Sequence, residues 1–401
     1  MATAVDAQRP RRVSQLLGAA MLAGALVVGL AFGTRLGLLM LVGAALGVSL
    51  YHAAFGFTAA WRVFIGERRG RGLRAQMVML AIAVVLFFPA LGAGNLWGQG
   101  VSGFVAPIGV SVVVGAFLFG IGMQLGGGCA SGTLFTAGGG NARMVITLLF
   151  FIVGSLIGTA HFAWWTALPA FQPMSLVHTF GAGGGIAVSL ILFGAIAALT
   201  VLMEKRRHGQ LEEAPRADLR AKRWLTGPWP LLLGAVALAL LNFATLALAG
   251  RPWGITSAFA LWGAKAFEFL GGDVSQWGYW QNPDNAAALQ ASVWSDITTV
   301  MNVGIILGAM LAATLAGRFA PTLRIPLGSV MAAVFGGLML GYGARLAFGC
   351  NIGAYFSGIA SGSLHGWVWL VAAFAGNMLG VRLRPLFFDR PPGERTRAKV
   401  S

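Results

Sequence analysis

Charge is what this chain has least of. Asp, Glu, Lys and Arg make up 10% of its 401 residues, against roughly a quarter in soluble domains, and 57% are hydrophobic. An ordinary soluble fold is excluded. Cysteine is almost as scarce, and the two that occur, Cys129 and Cys350, cannot staple a disulfide framework. With no CxxC pair and no Cys/His set at zinc-ligand spacing, no metal and no cofactor is expected. Walker, nucleophile-elbow and Rossmann motifs are missing, and GAGGGI at 181–186 lacks the strand context that gives such a run meaning. Acid is scarcer than base, 12 residues against 28, for a formal net charge of +16. The bases lie in short clusters between apolar runs, where a positive-inside bias puts them, so nucleic acid is not the expected partner.

What fills the sequence is long apolar runs. A spanning helix needs about 20 apolar residues, and ten runs qualify: 15–33, 36–54, 75–92, 105–126, 144–167, 184–203, 229–249, 293–316, 327–347 and 364–383. The first follows Arg9, Arg11 and Arg12, but further spans follow it at once and no cleavage site is evident, so it reads as a retained helix. With the N-terminus inside, the clusters Arg62 to Arg74, Lys205 to Arg223, Arg318 with Arg324, and the C-terminal arginines all fall on the cytoplasmic side. The expected organisation is a basic cytoplasmic tail at 1–14, an added helix at 15–33, a first repeat at 36–167 and a connecting helix at 184–203. A cytoplasmic linker at 204–224, a second repeat at 229–384 and a cytoplasmic tail at 385–401 complete it.

The repeat is carried by the cysteines. GGGCASGT at 126–133 and GCNIG at 349–353 share a Gly-Cys-x-x-Gly pattern, and a shift of 221 residues lays Gly115, Gly120, Gly122, Gly128, Cys129 and Gly132 on matching residues. Past the motif, Gly154 and Gly158 meet Gly376 and Gly380 only with one further residue of shift. A second motif pair, FGFTAAW at 55–61 and WGITSAF at 253–259, precedes these. Between matching elements the number of crossings is odd, so the halves are expected to be inverted. The expected fold is thus an all-α polytopic membrane protein of about ten helices, in two inverted repeats with re-entrant half-helix loops.

Each Gly-Cys stretch reads as a span that stops, a tight turn, and a half-helix whose free N–H groups favour an anion. Glycine that merely permits close packing and cysteine as a small apolar residue is the alternative for either motif alone. The candidate pathway residues are Cys129 and Cys350 with Gly128, Ser131, Gly132, Gly349, Asn351 and Gly353. Thr58 and Thr256 join them as anion ligands or as plain capping hydroxyls. Arg345 can attract anions and Arg143 reads as a flank. Asn351 either caps a helix or faces substrate, and Asp296 is a proton site or an interface charge. His161 and His365 are not expected to be ligands, and the pairs Gly154/Gly158, Gly304/Gly308 and Gly376/Gly380 read as packing contacts.

These paired motifs, followed by Ser363-Leu364-His365, resemble the YeeE/YedE family of bacterial membrane proteins, also called the sulphur transport family. The resemblance runs from about residue 36 onward. It implies a transporter rather than an enzyme: an inner-membrane permease for a small sulfur-containing anion such as thiosulfate, passed along cysteine thiols through an hourglass-shaped protein. The basic clusters put both termini in the cytoplasm. The anion and membrane lipid are the expected partners, and the basic cytoplasmic loops add a third reading, a membrane scaffold that docks a cytoplasmic sulfur-carrier protein. The family's third cysteine position falls on Gly56 here. The competing reading is a membrane-embedded sulfurtransferase or thiol redox protein that carries sulfur as a cysteine persulfide.

Overall fold

The computed structural model describes residues 4–213, 221–321 and 324–388. In chain order the helices are α1 (Ala4–Phe32), α2 (Thr34–His52), α3 (Phe57–Glu67), α4 (Arg71–Ala93), α5 (Val110–Gly126), α6 (Ala130–Gly138), α7 (Ala142–Thr166) and α8 (Leu176–His208). They continue with α9 (Ala221–Thr226), α10 (Leu231–Ala249), α11 (Thr256–Phe269), α12 (Pro283–Gln290), α13 (Ile297–Leu315), α14 (Leu327–Leu346), α15 (Gly358–Ala360) and α16 (Leu364–Leu383). Among the described residues, strand is confined to two short ladders, Asn95–Leu96 with Gln99–Gly100 and Ile108–Gly109 with Ala170–Phe171.

Ten segments are long and apolar enough to cross a membrane, with α2–α3 and α5–α6 each forming one of them. The chain is an all-α polytopic membrane protein. Each of the ten expected runs overlaps one of these segments. The largest departure is α8, expected at 184–203: it runs from Leu176 to His208, entering the expected linker, and kinks at Gly181 (φ 69°, ψ 172°). Helix α1 starts at Ala4, inside the stretch assigned to the basic tail. Most of the expected C-terminal tail and linker residues 214–220 lie outside the described residues.

Helix α5 packs against α14 and α16, and α14 against α5 and α7; α2 meets α10 and α13, and α4 meets α8 and α10. Close approach at these crossings comes from glycine. A methyl on Gly376 would lie 2.0 Å from Phe117 O, one on Gly308 2.0 Å from Ala44 O, and one on Gly154 2.3 Å from Leu338 O. Each of the three GxxxG pairs thus places a glycine where backbones touch, which suits a bilayer, where van der Waals packing rather than the hydrophobic effect joins helices.

At the end of α8, the buried Glu204 carboxylate holds the α3–α4 turn. Its oxygens accept from Arg74 Nη1 at 2.8 Å, Gly70 N at 3.0 Å, Arg69 Nη1 at 3.3 Å and Glu212 N at 2.7 Å. Glu204→Ala leaves two guanidiniums and two backbone N–H groups without their acceptor. The expected loss is about 2 kcal/mol, below the value for a fully buried pair because both arginines reach solvent. A lower thermal midpoint of the purified protein in detergent is the check, and an unchanged midpoint contradicts the assignment.

Candidate functional site

Both cysteines start a helical segment that follows a broken one. Helix α5 stops at Gly126, Gly127 turns the chain at φ 89°, and Cys129 caps α6, its sulfur accepting from Gly132 N at 3.5 Å. Ser131 Oγ lies 3.3 Å from the same sulfur. In the second half α14 ends at Leu346, Gly349 turns at φ 151°, and Cys350 Sγ accepts from Ile352 N at 3.4 Å. Both thiols are free and buried. The segment after Cys129 packs against the one after Cys350. Neither thiol bonds a basic or acidic side chain; their partners are one hydroxyl and backbone N–H groups.

The two segments differ in winding. After Cys350 the chain makes a π-helical turn over Asn351–Ser357, with Tyr355 N donating to Cys350 O across five residues at 3.3 Å. A π turn takes up one more residue than an α turn. The extra residue of offset between Cys350 and Gly376 falls in this region.

The second motif pair starts helices α3 and α11, with Thr58 in the first turn of one and Thr256 opening the other. The extended backbone before α11 is satisfied by side chains, as non-helical backbone inside a membrane protein requires. Trp253 N donates to Asn242 Oδ1 at 2.9 Å, Asn302 Nδ2 donates to Ile255 O at 3.0 Å, and Ser357 Oγ donates to Trp253 O at 2.7 Å. Ser357 thereby ties the Cys350 segment to the start of α11.

A cavity of about 360 Å³ opens at this junction. Its wall includes Arg251, Thr256, Ser257, Tyr279, Thr298 and Arg345, and its floor Gly349, Gly353 and Ser357, beside Cys350. Arg345, only 7% exposed, donates to Thr256 Oγ1 at 2.9 Å and to Tyr279 OH at 2.7 Å, while its Nε has no partner. Among the described residues no carboxylate pairs with it. Arg251, nearer the mouth, lies 4.0 Å from Asp296. A second vestibule, about 940 Å³, is lined by Ala53 to Gly56, Arg69, Arg71, Arg74, Gln76, Arg223 and Trp229 to Leu232. It sits at the starts of α4 and α10, whereas the first is lined by Thr245 near the end of α10, so the two open at opposite ends of the helices.

The remaining expected residues sort by their partners. Arg143 donates to the carbonyls of Leu125 and Ser329 and so finishes the end of α5 as a structural flank. Asp296 caps α13, accepting from Thr299 N at 2.7 Å. His161 bonds Tyr342 OH, and His365 bonds Ser363 while its Nε2 has no partner. Asn351 is not the cap of its segment, which is Cys350 itself; both polar atoms of its buried amide lack a partner. Thr58 Oγ1 is likewise buried and unpartnered. Gly56 is extended (φ −110°, ψ 114°), and a methyl there would meet nothing nearer than Ala59 Cβ at 3.7 Å. Local sterics do not demand glycine at that position. The sequence reading missed Asn242, Asn302, Gln76 and Tyr279. For the amides the signal was available, since a lone amide in an apolar run is costly without a partner.

Ten segments long and apolar enough to cross a membrane, with cavities at opposite ends of the helices, describe a multi-pass membrane protein. The chain belongs to the sulphur transport family, whose profile matches residues 52–379. It is 33% identical over 168 residues to the probable transporter YedE of Escherichia coli, covering 41% of this chain and 40% of that protein, less than half its length. It is also 28% identical over 355 residues to the thiosulfate transporter TsuA of Spirochaeta thermophila, covering 84% of this chain and 96% of that protein. The thiosulfate transporter TsuA of Escherichia coli is 26% identical over 359 residues, covering 84% and 91%.

Proposed function

We propose that this protein is a bacterial inner-membrane permease for a small sulfur-containing anion, thiosulfate first among them. The observation that carries the reading is Arg345: a buried guanidinium with an unpartnered N–H and no carboxylate, in a vestibule whose floor adjoins Cys350. A buried cation needs a counter-charge, and a dianion arriving from outside supplies it. The start of α11 adds N–H groups and a partial positive charge on the same wall. The substrate named for two relatives, thiosulfate, fits this chemistry.

The halves are inverted repeats, and the re-entrant elements are α6 and the Asn351–Ala360 segment. Exchanging α2 with α10, α3 with α11, α4 with α13, α5 with α14 and α7 with α16 carries the main helix contacts onto one another: α7–α14 onto α16–α5, α2–α13 onto α10–α4, and α7–α11 onto α16–α3, which supports this arrangement. The vestibules then face opposite sides. The one rimmed by Arg69, Arg71, Arg74 and Arg223 is cytoplasmic, as the positive-inside rule asks, and both termini are cytoplasmic. A soluble sulfur carrier docks at that basic rim.

The anion binds at Arg345 and Thr256, passes Gly349, Gly353 and the amide of Asn351, and meets Cys350 and then Cys129 with Gly128, Ser131 and Gly132. S–H and N–H donors replace its hydration shell step by step, with each site weak enough to release it. Thr58 offers its hydroxyl further along. A persulfide-forming enzyme calls for a base beside a thiol, and these thiols bond only a hydroxyl and backbone N–H groups. The test is labelled thiosulfate uptake into cells lacking other thiosulfate and sulfate importers. Cys350→Ala is expected to lower uptake about 10-fold or more at equal expression; unchanged uptake removes the thiol from the pathway, and no uptake by the wild type overturns the permease.

A further inference from the structure

Between the Cys350 turn and the cytoplasmic vestibule stands a cluster of buried rings. Trp61 on α3, Tyr355 on the π turn and Trp369 on α16 are each fully buried and form a triangle with centroid separations of 5.9, 6.3 and 6.4 Å. Gln76 on α4 closes one side, its Oε1 accepting from Trp61 Nε1 at 2.9 Å and from Tyr355 OH at 3.5 Å. The third polar group, Trp369 Nε1–H, is buried with no partner. Gln76 also lines the cytoplasmic vestibule, and Tyr355 bonds the Cys350 carbonyl through its backbone. The cluster thus touches both sides of the path.

The chemistry is one-sided. Trp61, Tyr355 and Trp369 present N–H or O–H donors, and no charged group hydrogen-bonds any of the three. The Gln76 oxygen is the acceptor that two of them share. An unmet buried donor such as Trp369 Nε1–H costs free energy in the resting state. The π turn aims Tyr355 into this cluster, a use consistent with the frequent occurrence of π turns at functional sites.

We propose that Trp61, Tyr355, Trp369 and Gln76 form an uncharged donor station for the permeating sulfur anion, on the cytoplasmic side of Cys350. This rests on the permease reading above. At rest the Gln76 oxygen occupies the donors; an arriving anion takes them over, collects the Trp369 N–H as well, and leaves through the vestibule lined by Gln76. Having no fixed cation, the station binds weakly and lets go.

The experiment uses the full chain in proteoliposomes, with initial rates of labelled thiosulfate uptake, and in detergent, with thiosulfate binding at the Arg345 vestibule. Gln76→Glu keeps the shape but faces the anion with a carboxylate, and uptake is expected to fall about 100-fold. Tyr355→Phe removes one donor while keeping the ring, and Trp369→Phe removes the indole N–H while keeping a smaller aromatic ring, each for a fall of about 10-fold. Affinity at the vestibule is expected to stay within about threefold in all three variants, a split that a merely structural role does not produce. Folded variants that transport at the wild-type rate overturn the station and leave the permease standing. So does a loss of vestibule affinity in step with uptake. A wild type that binds but does not transport brings down both.

Discussion

Arg345→Gln is expected to abolish most thiosulfate uptake, by about 100-fold, because charge-assisted hydrogen bonds to a desolvated anion are worth several times a neutral one. Nothing in the resting fold requires the charge. Its partners are two neutral hydroxyls, Thr256 Oγ1 and Tyr279 OH, so no carboxylate is left unpaired when the charge is removed. The protein should therefore accumulate and stay folded while losing the proposed anion site. Arg345→Lys should recover only part of the activity, because an ammonium cannot span both hydroxyls and an anion with a planar fork. The position is built from behind by glycine: a methyl on Gly158 would lie 2.8 Å from Arg345 Cβ. The Gly154/Gly158 pair, legible as a packing motif, thus also makes room for the stem of the arginine. Uptake and thiosulfate binding measured on the same preparations decide the matter. An Arg345→Gln protein that binds and transports normally would falsify the assignment.

How much of this was legible follows from how often each signal recurs. The apolar runs and the basic clusters recur ten and several times, and the helices they predicted are present, with ends displaced by a few residues. The cysteines and glycines were legible because they occur twice at one spacing. Singletons showed only that a partner is needed. Gln76, Asn242 and Asn302 each stand alone in an apolar helix, and what they bond, an indole N–H and the backbone of another motif, lies on a different element whose approach the sequence does not show. Tyr279 sits in a loop without periodicity, and only tertiary structure brings it to Arg345. The one-residue change of repeat offset announced an insertion but not its location; the π turn after Cys350 takes it up. Asn351 shows the limit of motif reading: beside a cysteine that caps its own helix, the amide is left over rather than used as the cap.

Two glycines close in sequence but opposite in surroundings carry the second large effect. Gly376 packs on α5 with a hypothetical methyl 2.0 Å from Phe117 O, and Gly120 faces back with its own 2.1 Å from Ala373 O. The two backbones meet there without side chains between them. Gly376→Leu forces the helices apart along a crossing that positions Trp369 and the Cys350 segment together, and overpacking of this kind costs roughly 3 kcal/mol or more. The expected result is loss of folded, monodisperse protein rather than a slower transporter. Gly353→Ala is the contrast: a methyl there meets nothing within 4 Å, so its thermal midpoint should match the wild type. Because Gly353 lines the cavity beside Arg345, its uptake should fall nonetheless. Size-exclusion profiles, thermal midpoints and uptake on the pair separate glycines that join helices from glycines that leave the path open. If Gly376→Leu folds normally, the close crossing of α5 and α16 is not what holds this half together.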